Sequence, residues 1–526
     1  MPKTPPNILI IMADQLSPQF TAAYGHPLVK TPNIDALARR GTRFDAAYCN
    51  TPLCAPARYS FMSGQLATRI EAYDNACEFP SSIPTFAHYL KQMGYHCCLS
   101  GKMHFVGPDQ LHGFDERLTT DIYPSDFAWT PNWEAPAERI DKWYHNMDSV
   151  LEAGVAATTF QIEYDDEVSF FAKRKIFDLA RNGTQPFCLV ASFIHPHDPY
   201  VARQEWWDHY QASDIDLPKA TIDYDAQDAF SKRLMDGIQA SETEVTEAQL
   251  RNARHAYYAN TTYFDSKVGE LVTALKQAGM FENTVIIITA DHGDMLGERS
   301  LWYKMNFFEH SARVPLILSG TGVRQGVLSN ACSLVDILPT LLDIASEGGI
   351  PQPELAQVID GRSLWPLAKG DQDPNGRGII DEALGEYCAE MTSHPVFMIR
   401  RGRHKYIHCD TDPPLLFDLV EDRDERINLA CDPAYDGLAK QFLKAVQERW
   451  HSEKIRRDVI LSQKRRRTIV ASTAGRPAPS WDFNPPRDAA NEYVRNHMDW
   501  TVAAVKTRFP PLVPGSDGIK VVKEPT

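Results

Sequence analysis

The chain has 526 residues, 43% of them hydrophobic, and a formal net charge of −15. That length exceeds one minimal domain and suits a large α/β domain with a smaller companion. The acidic balance excludes nucleic acid and anionic membrane surfaces as natural partners, and any anionic ligand must then be met by local cations or a metal.

The first expected element is a buried strand over Asn7–Met12, an isoleucine-rich apolar run that stops at Asp14 and Gln15. That run is too short for a signal-peptide core and has no small-residue cleavage site after it. No unbroken apolar stretch reaches the roughly 20 residues of a transmembrane helix. The ten cysteines are scattered, with Cys97 and Cys98 adjacent, a poor disulfide framework. These features predict a soluble, cytoplasmic protein with reduced thiols.

A helix is expected over Asp35–Arg40. A second buried strand, Phe187–Phe193, runs into His195-Pro196-His197-Asp198-Pro199. A helix over Val268–Gly279 precedes a third strand, Val285–Ala290, which stops at Asp291-His292-Gly293-Asp294. Val314–Ser319 reads as a fourth. Continuous apolar strands alternating with helices predict an α/β fold, with a large mixed, mostly parallel sheet sandwiched by helices. Ligands of such sheets gather beyond the carboxyl ends of the strands, and three of these strands end in Asp or His.

Gly320 to Gly326 mimics half a dinucleotide fingerprint but opens no convincing helix, so it reads as a turn. A Gly/Pro/Asp/Asn-rich stretch at 370–378 reads as a linker. It divides a catalytic α/β domain, 1–375, from a C-terminal subdomain, 376–461. There, short strands at Val396–Arg400, Lys405–His408 and Leu415–Asp418 suggest an antiparallel sheet, followed by a helix over Gly437–Trp450. The tail, 462–526, is rich in Pro, Arg and aromatics with little periodicity, and reads as an extended segment, disordered or ordered by packing on something else. Its run Lys464-Arg465-Arg466-Arg467 reads as a subunit contact or a solvated face.

Asp14, Asp291 and His292 come together if the first and third strands are neighbours. Oxygen donors with one imidazole fit a divalent cation, Ca²⁺ most easily, with Mn²⁺ and Mg²⁺ as alternatives. Taken singly, Asp291-His292-Gly293 reads equally as a turn. Cys54-Ala55-Pro56-Ala57-Arg58, with Gly64 downstream, would on composition alone be a buried cysteine before a helix-starting proline.

That run, however, resembles the signature of the type I sulfatases of the alkaline phosphatase superfamily. The resemblance implies that Cys54 is oxidised to formylglycine by a formylglycine-generating enzyme. The hydrated aldehyde would then be the nucleophile, and its gem-diol would shed sulfate by C–O cleavage. It implies metal ligation by Asp14, Cys54, Asp291 and His292, with Arg58 in the catalytic set. Lys102-Met103-His104 is similar to the family's Lys-x-His pair, which holds the formylglycine and a sulfate oxygen, with His104 aiding collapse of the hemiacetal. His197 and Lys304 resemble the pair that contacts the sulfate and protonates the leaving oxygen, a proton that a poor alkoxide leaving group requires. Gln15 and His292 stand where many sulfatases have Asp and Asn, and in this resemble phosphonate monoester hydrolases.

Longer stretches resemble choline sulfatases in particular: Tyr73 to Ala76, Ser100 to His112, Asp121 to Trp129, His195 to Ala202, Asp291 to Arg313, and Tyr493 to Met498. A quaternary ammonium cannot donate a hydrogen bond, so its recognition must use aromatic faces and carboxylates. The resemblance moves Trp129 from core packing towards such a pocket, together with Asn75, His145 and Glu386. It implies a homo-oligomer, dimer or tetramer, whose tails cross to close a neighbouring pocket, with Asp499 and Trp500 as the contacting residues. The competing readings are a phosphonate monoester or phosphodiester hydrolase, a broad-specificity sulfatase, and an inactive protein that binds choline or its sulfate.

Overall fold

A computed structural model describes residues 5–136, 145–183, 185–371, 381–476 and 480–486. Eight strands form one sheet in the spatial order Gly326–Ser333, Thr42–Tyr48, Leu316–Gly320, Thr284–Ala290, Asn7–Asp14, Phe187–Pro196, His96–Gly101, Glu116–Arg117. All pairings are parallel except those of Leu316–Gly320, which runs antiparallel to both neighbours. The expected fourth strand is therefore present but reversed.

Asn7–Asp14 is buried at every position because it has a strand on each side and helices over each face. That is why its sequence is a continuous apolar run and not an alternation. One group of helices, Pro32–Arg40, Phe160–Asn182 and Glu247–Gln277, packs among itself and on the sheet. A second group, Cys54–Ser63, Phe86–Gln92 and Ile337–Ser346, does the same. The long helix Glu247–Gln277 starts at a capping box formed by Thr246 and Gln249, which satisfies two otherwise orphan amides.

The second sheet is antiparallel, in the order Glu382–Tyr387, Val396–Arg401, His404–Cys409, Asp412–Asp418. Helix Asp436–Arg449 covers it by packing Phe442, Val446 and the following Trp450 on Phe397, Ile399, Tyr406 and Leu416.

The tail departs from its expectation. A helix, Ser452–Ser472, runs across the predicted boundary at 462 and buries only Val459, Gln463 and Arg466. So narrow a buried stripe leaves almost no apolar periodicity to read. Within the basic run, Lys464 pairs with Glu134 at the surface, whereas Arg466 is buried. The predicted linker at 370–378 falls mostly outside the described residues. Among the described residues no helix is long and apolar enough to cross a membrane, and the ten cysteines are free thiols.

Candidate active site

Four adjacent parallel strands end at one edge of the large sheet. From their carboxyl ends come Asp291 and His292, Asp14, His197, and Lys102 and His104. Parallel order therefore does what sequence distance cannot, and gathers residues from four segments. Gly101 is required where the fourth strand turns out: its φ is +105°, and a Cβ there would overlap the Ser192 carbonyl oxygen of the neighbouring strand.

Cys54 opens helix Cys54–Ser63, every residue of which is buried. Its Sγ lies 3.3 Å from His292 Nε2 and 3.9 Å from Asp14 Oδ1. Asp14, Cys54, Asp291 and His292 bring their ligand atoms within 4.8 Å of one another. One turn along the helix, Arg58 ties this cluster together. Its Nη2 donates to Asp14 Oδ2 and its Nε to Asp291 Oδ2, each at 2.9 Å, while Nη1 reaches Ser192 Oγ at 2.8 Å and Lys102 O at 2.7 Å. Lys102 Nζ pairs with the same Asp14 oxygen. Burial alone would raise the Asp14 carboxyl, but Lys102, His197, Arg58 and His292 together hold it well below the usual carboxylate range. Burial, helped by Lys304, lowers His292, and its Nδ1 donates to Gly293 O at 3.1 Å, which leaves the Nε2 lone pair facing Cys54 Sγ and the carboxylates. Two carboxylates and a neutral imidazole fit a divalent cation.

The encoded thiol is a poor nucleophile in this setting. Burial, followed by the charge of Asp14, pushes Cys54 up to about 11, so the thiol stays protonated near neutrality.

On the other side of Cys54, His104 is buried with neither ring nitrogen hydrogen-bonded. Burial and Lys102 push it down to about 3. Its backbone is left-handed, φ +57°, and is held there by Asp121, whose Oδ2 accepts the amides of Met103 and His104 at 3.1 and 2.9 Å. A buried imidazole with two open valences, in strained backbone, marks a place where a ligand completes the structure.

His197 and Lys304 form the second pair. Lys304 Nζ donates to His197 Nε2 at 2.7 Å and to Gln15 Oε1 at 2.5 Å. His197 Nδ1 donates to Asp198 O at 2.6 Å. Burial would lower the ammonium, but Cys54, Asp198, Asp14 and Asp291 raise it, while burial and Lys304 drive His197 well below its ordinary value. The lysine is thus charged and the imidazole neutral, with one proton held between them.

An aromatic rim stands over these groups. Tyr123 Oη lies 3.2 Å from His197 Nε2, and its ring lies 4.1 Å from Lys102 Nζ. Half-buried Trp129 meets His104 and Tyr123 edge-on, with ring centres 5.9 and 5.2 Å apart. His145 stacks on Tyr303 at 4.5 Å and lies 3.4 Å from Asp198 Oδ2. Asn75 joins from below, its Oδ1 accepting the amide of Ala55 at 2.9 Å.

Residues 6–347 match the sulfatase family model. The chain belongs to the sulfatase family. It hydrolyses sulfate esters, in common with a choline-sulfatase of Rhizobium meliloti (strain 1021) to which it is 46% identical over 96% of this chain and 98% of that protein. Residues 457–509 match the model described as choline sulfatase enzyme C terminal. Residues 297–452 match the one described as N-sulphoglucosamine sulphohydrolase, C-terminal. The multifunctional alkaline phosphatase superfamily protein PehA of Trinickia caryophylli is 28% identical over 83% of this chain and 93% of its own. In fold, the sulfatase resembles the phosphonate monoester hydrolase of Agrobacterium radiobacter, with a TM-score of 0.67 at 23% identity over 84% of this chain and 95% of that one.

Not every expected residue of the sulfatase reaches the site. Both Glu386 oxygens are engaged elsewhere: Thr68 donates its amide and hydroxyl at 2.7 and 2.8 Å, and Trp450 Nε1 donates at 2.5 Å. Glu386 thus fastens the second sheet and its covering helix to the Thr68 turn, which corrects its expected place in a cation cage. Sequence reasoning missed Glu390. This buried carboxyl lies within electrostatic reach of Asp74 and Lys304, has one oxygen without a hydrogen bond, and is pushed by burial up to about 8. Nothing in the spacing separates Glu386 from Glu390. Gln15 was also underrated: beside the metal cluster, it holds Lys304 through its Oε1 and reaches Asp294 at 2.7 Å and Asp198 at 3.2 Å through Nε2. Asp499 and Trp500 lie outside the described residues.

Proposed function

We propose that this sulfatase cleaves choline O-sulfate to choline and inorganic sulfate, with Cys54 converted to formylglycine as the source of the nucleophile. The observation that carries this reading is the aromatic rim of Tyr123 and Trp129 together with a buried, incompletely bonded carboxyl at Glu390. Faces and a carboxylate are what a quaternary ammonium needs. A neutral aromatic leaving group would gain nothing from the ionised form of that carboxyl. The relative in Rhizobium meliloti, named a choline-sulfatase and aligned over nearly the whole chain, supports the same substrate.

In this reading Asp14, Asp291 and His292, with the side chain at position 54, hold a divalent metal, which would supply positive charge to the reacting sulfate. One imidazole among oxygens shifts the donor set from the all-oxygen Ca²⁺ pattern towards Mn²⁺. Arg58 orients both carboxylates and joins Lys102 in neutralising them. Lys102 and His104 bind the sulfate and the position-54 side chain, filling the open valences of His104. Lys304 and His197 deliver a proton to the departing alkoxide, whose high basicity makes that proton necessary. The protein works in the cytoplasm as a homo-oligomer, and its tail, with Asp499 and Trp500, closes a neighbouring pocket.

The second reading is a phosphonate monoester or phosphodiester hydrolase, favoured by Gln15 and His292 at the metal cluster. Turnover of choline sulfate, 4-nitrophenyl sulfate and a phenyl phosphonate ester by protein of measured Cys54 conversion separates the two. A kcat/KM for choline sulfate above the others supports the first reading, and a higher value for the phosphonate overturns it.

A further inference from the structure

Arg466 belongs to no part of the chemistry above, yet it is the one charged side chain that helix Ser452–Ser472 buries. Its guanidinium grips Asp74 with both arms, Nη1 to Oδ1 and Nη2 to Oδ2, each at 2.7 Å, and Nη1 also donates to Thr130 Oγ1 at 3.2 Å. Asp74 and Thr130 are buried as well. Each of these two anchors is the sequence neighbour of a residue that faces the pocket. Asp74 precedes Asn75, whose Oδ1 holds the Ala55 amide beside Cys54. Thr130 follows Trp129, which lies against His104 and Tyr123. Thr130 is pinned in turn, its hydroxyl donating to Phe127 O at 2.7 Å.

We infer that Arg466 is a positioning residue that sets the distance between the Asn75 and Trp129 walls of the leaving-group pocket, and so determines which sulfate esters fit. The geometry suits that task. A planar fork spanning a carboxylate and a hydroxyl fixes two loops relative to each other, where a single charge would fix one. Gln463 and Val459 seat the same helix face, Gln463 Oε1 accepting the Trp133 amide at 2.8 Å and Val459 packing among Tyr73, Cys77 and Trp133. The guanidinium thus has a rigid base. Small misplacements of a binding wall are felt strongly in catalysis.

This inference rests on the choline reading of the pocket, and the test keeps the two apart. Choline sulfate and ethyl sulfate, which lacks the ammonium head, are compared on wild type, Arg466→Lys and Thr130→Val, alongside thermal melting. If wild type does not prefer choline sulfate, the choline reading fails whatever the variants do. If it does, Arg466→Lys should raise KM for choline sulfate about tenfold with kcat changed less than about threefold, and leave ethyl sulfate kcat/KM within about twofold. Thr130→Val, which keeps the Asp74 pair and so the fold, should shift KM in the same direction by about threefold. Unchanged selectivity in both variants, or equal losses on both substrates that track the melting temperature, would overturn the positioning role.

Discussion

The Cys54 site and the junction between the two sheets are both built from buried ions, but they are completed differently. At the junction, Lys405 is buried and lies 2.9 Å from Glu309 and 2.5 Å from Glu425. Tyr48 Oη donates to Glu309 Oε1 at 2.8 Å and accepts from Arg400 Nε at 3.1 Å, and the Glu309 amide donates to Glu425 Oε2 at 2.7 Å. Charge is matched within the protein. At Cys54, Arg58 and Lys102 crowd onto Asp14 with Lys304 nearby, and His104 has two buried nitrogens bonded to nothing. Open valence is left over there, although the three cations face three carboxylates, Asp14, Asp291 and Asp198. Burial of ions alone therefore does not mark an active site. What sets it apart is an imidazole with both nitrogens open, His104, beside a cluster of possible metal ligands.

Mutations should separate the two clusters, one losing rate and the other stability. The largest expected effect is Cys54→Ala, which should cut sulfate-ester turnover by on the order of 10⁴-fold or more with the fold retained; steady-state kinetics with circular dichroism checks it. Next, Lys304→Ala should lower kcat by about 10²- to 10⁴-fold for choline sulfate. The loss should be much smaller for 4-nitrophenyl sulfate, whose leaving group needs no proton, and an equal loss on both would refute the acid role of the Lys304–His197 pair. At the junction, Lys405→Met strands Glu309 and Glu425 and should cost about 3–5 kcal/mol in denaturant unfolding, with kcat per folded molecule unchanged.

The smallest effect concerns pH. Burial raises the Glu390 carboxyl to about 8, so at neutral pH it is largely protonated, and ionisation grows as pH rises. A cationic substrate favours the ionised form, so KM for choline sulfate should fall several-fold as pH rises through about 8. In Glu390→Gln that fall should vanish. A persistent pH dependence in the variant would assign it to another group.

Much of the site was legible because its residues lie where local pattern is strong. Asp14, Asp291 and His197 each follow a continuous apolar strand, and a buried parallel sheet sends such strand ends to one edge. The Cys54–Arg58 run is contiguous and opens a helix. The Val314–Ser319 strand was found, but its direction was not, since an apolar run has no polarity to read. Glu386 and Glu390 look alike in sequence, and only the second sheet's packing against Thr68 and Trp450 decides that Glu386 is consumed. The helix Ser452–Ser472 escaped notice because Val459, Gln463 and Arg466 are its whole buried face, two of them polar.

The sequence by itself therefore determined the α/β class, the family and the residues that follow the strands, because local periodicity and contiguous motifs encode them. Tertiary structure alone decided which carboxyl is left open, that Gln15 serves Lys304, and that Arg466 in a basic run is a buried clamp. The reason is physical: a side chain's role depends on whether its hydrogen bonds and charge are already satisfied by partners hundreds of residues away, and no local pattern records those partners.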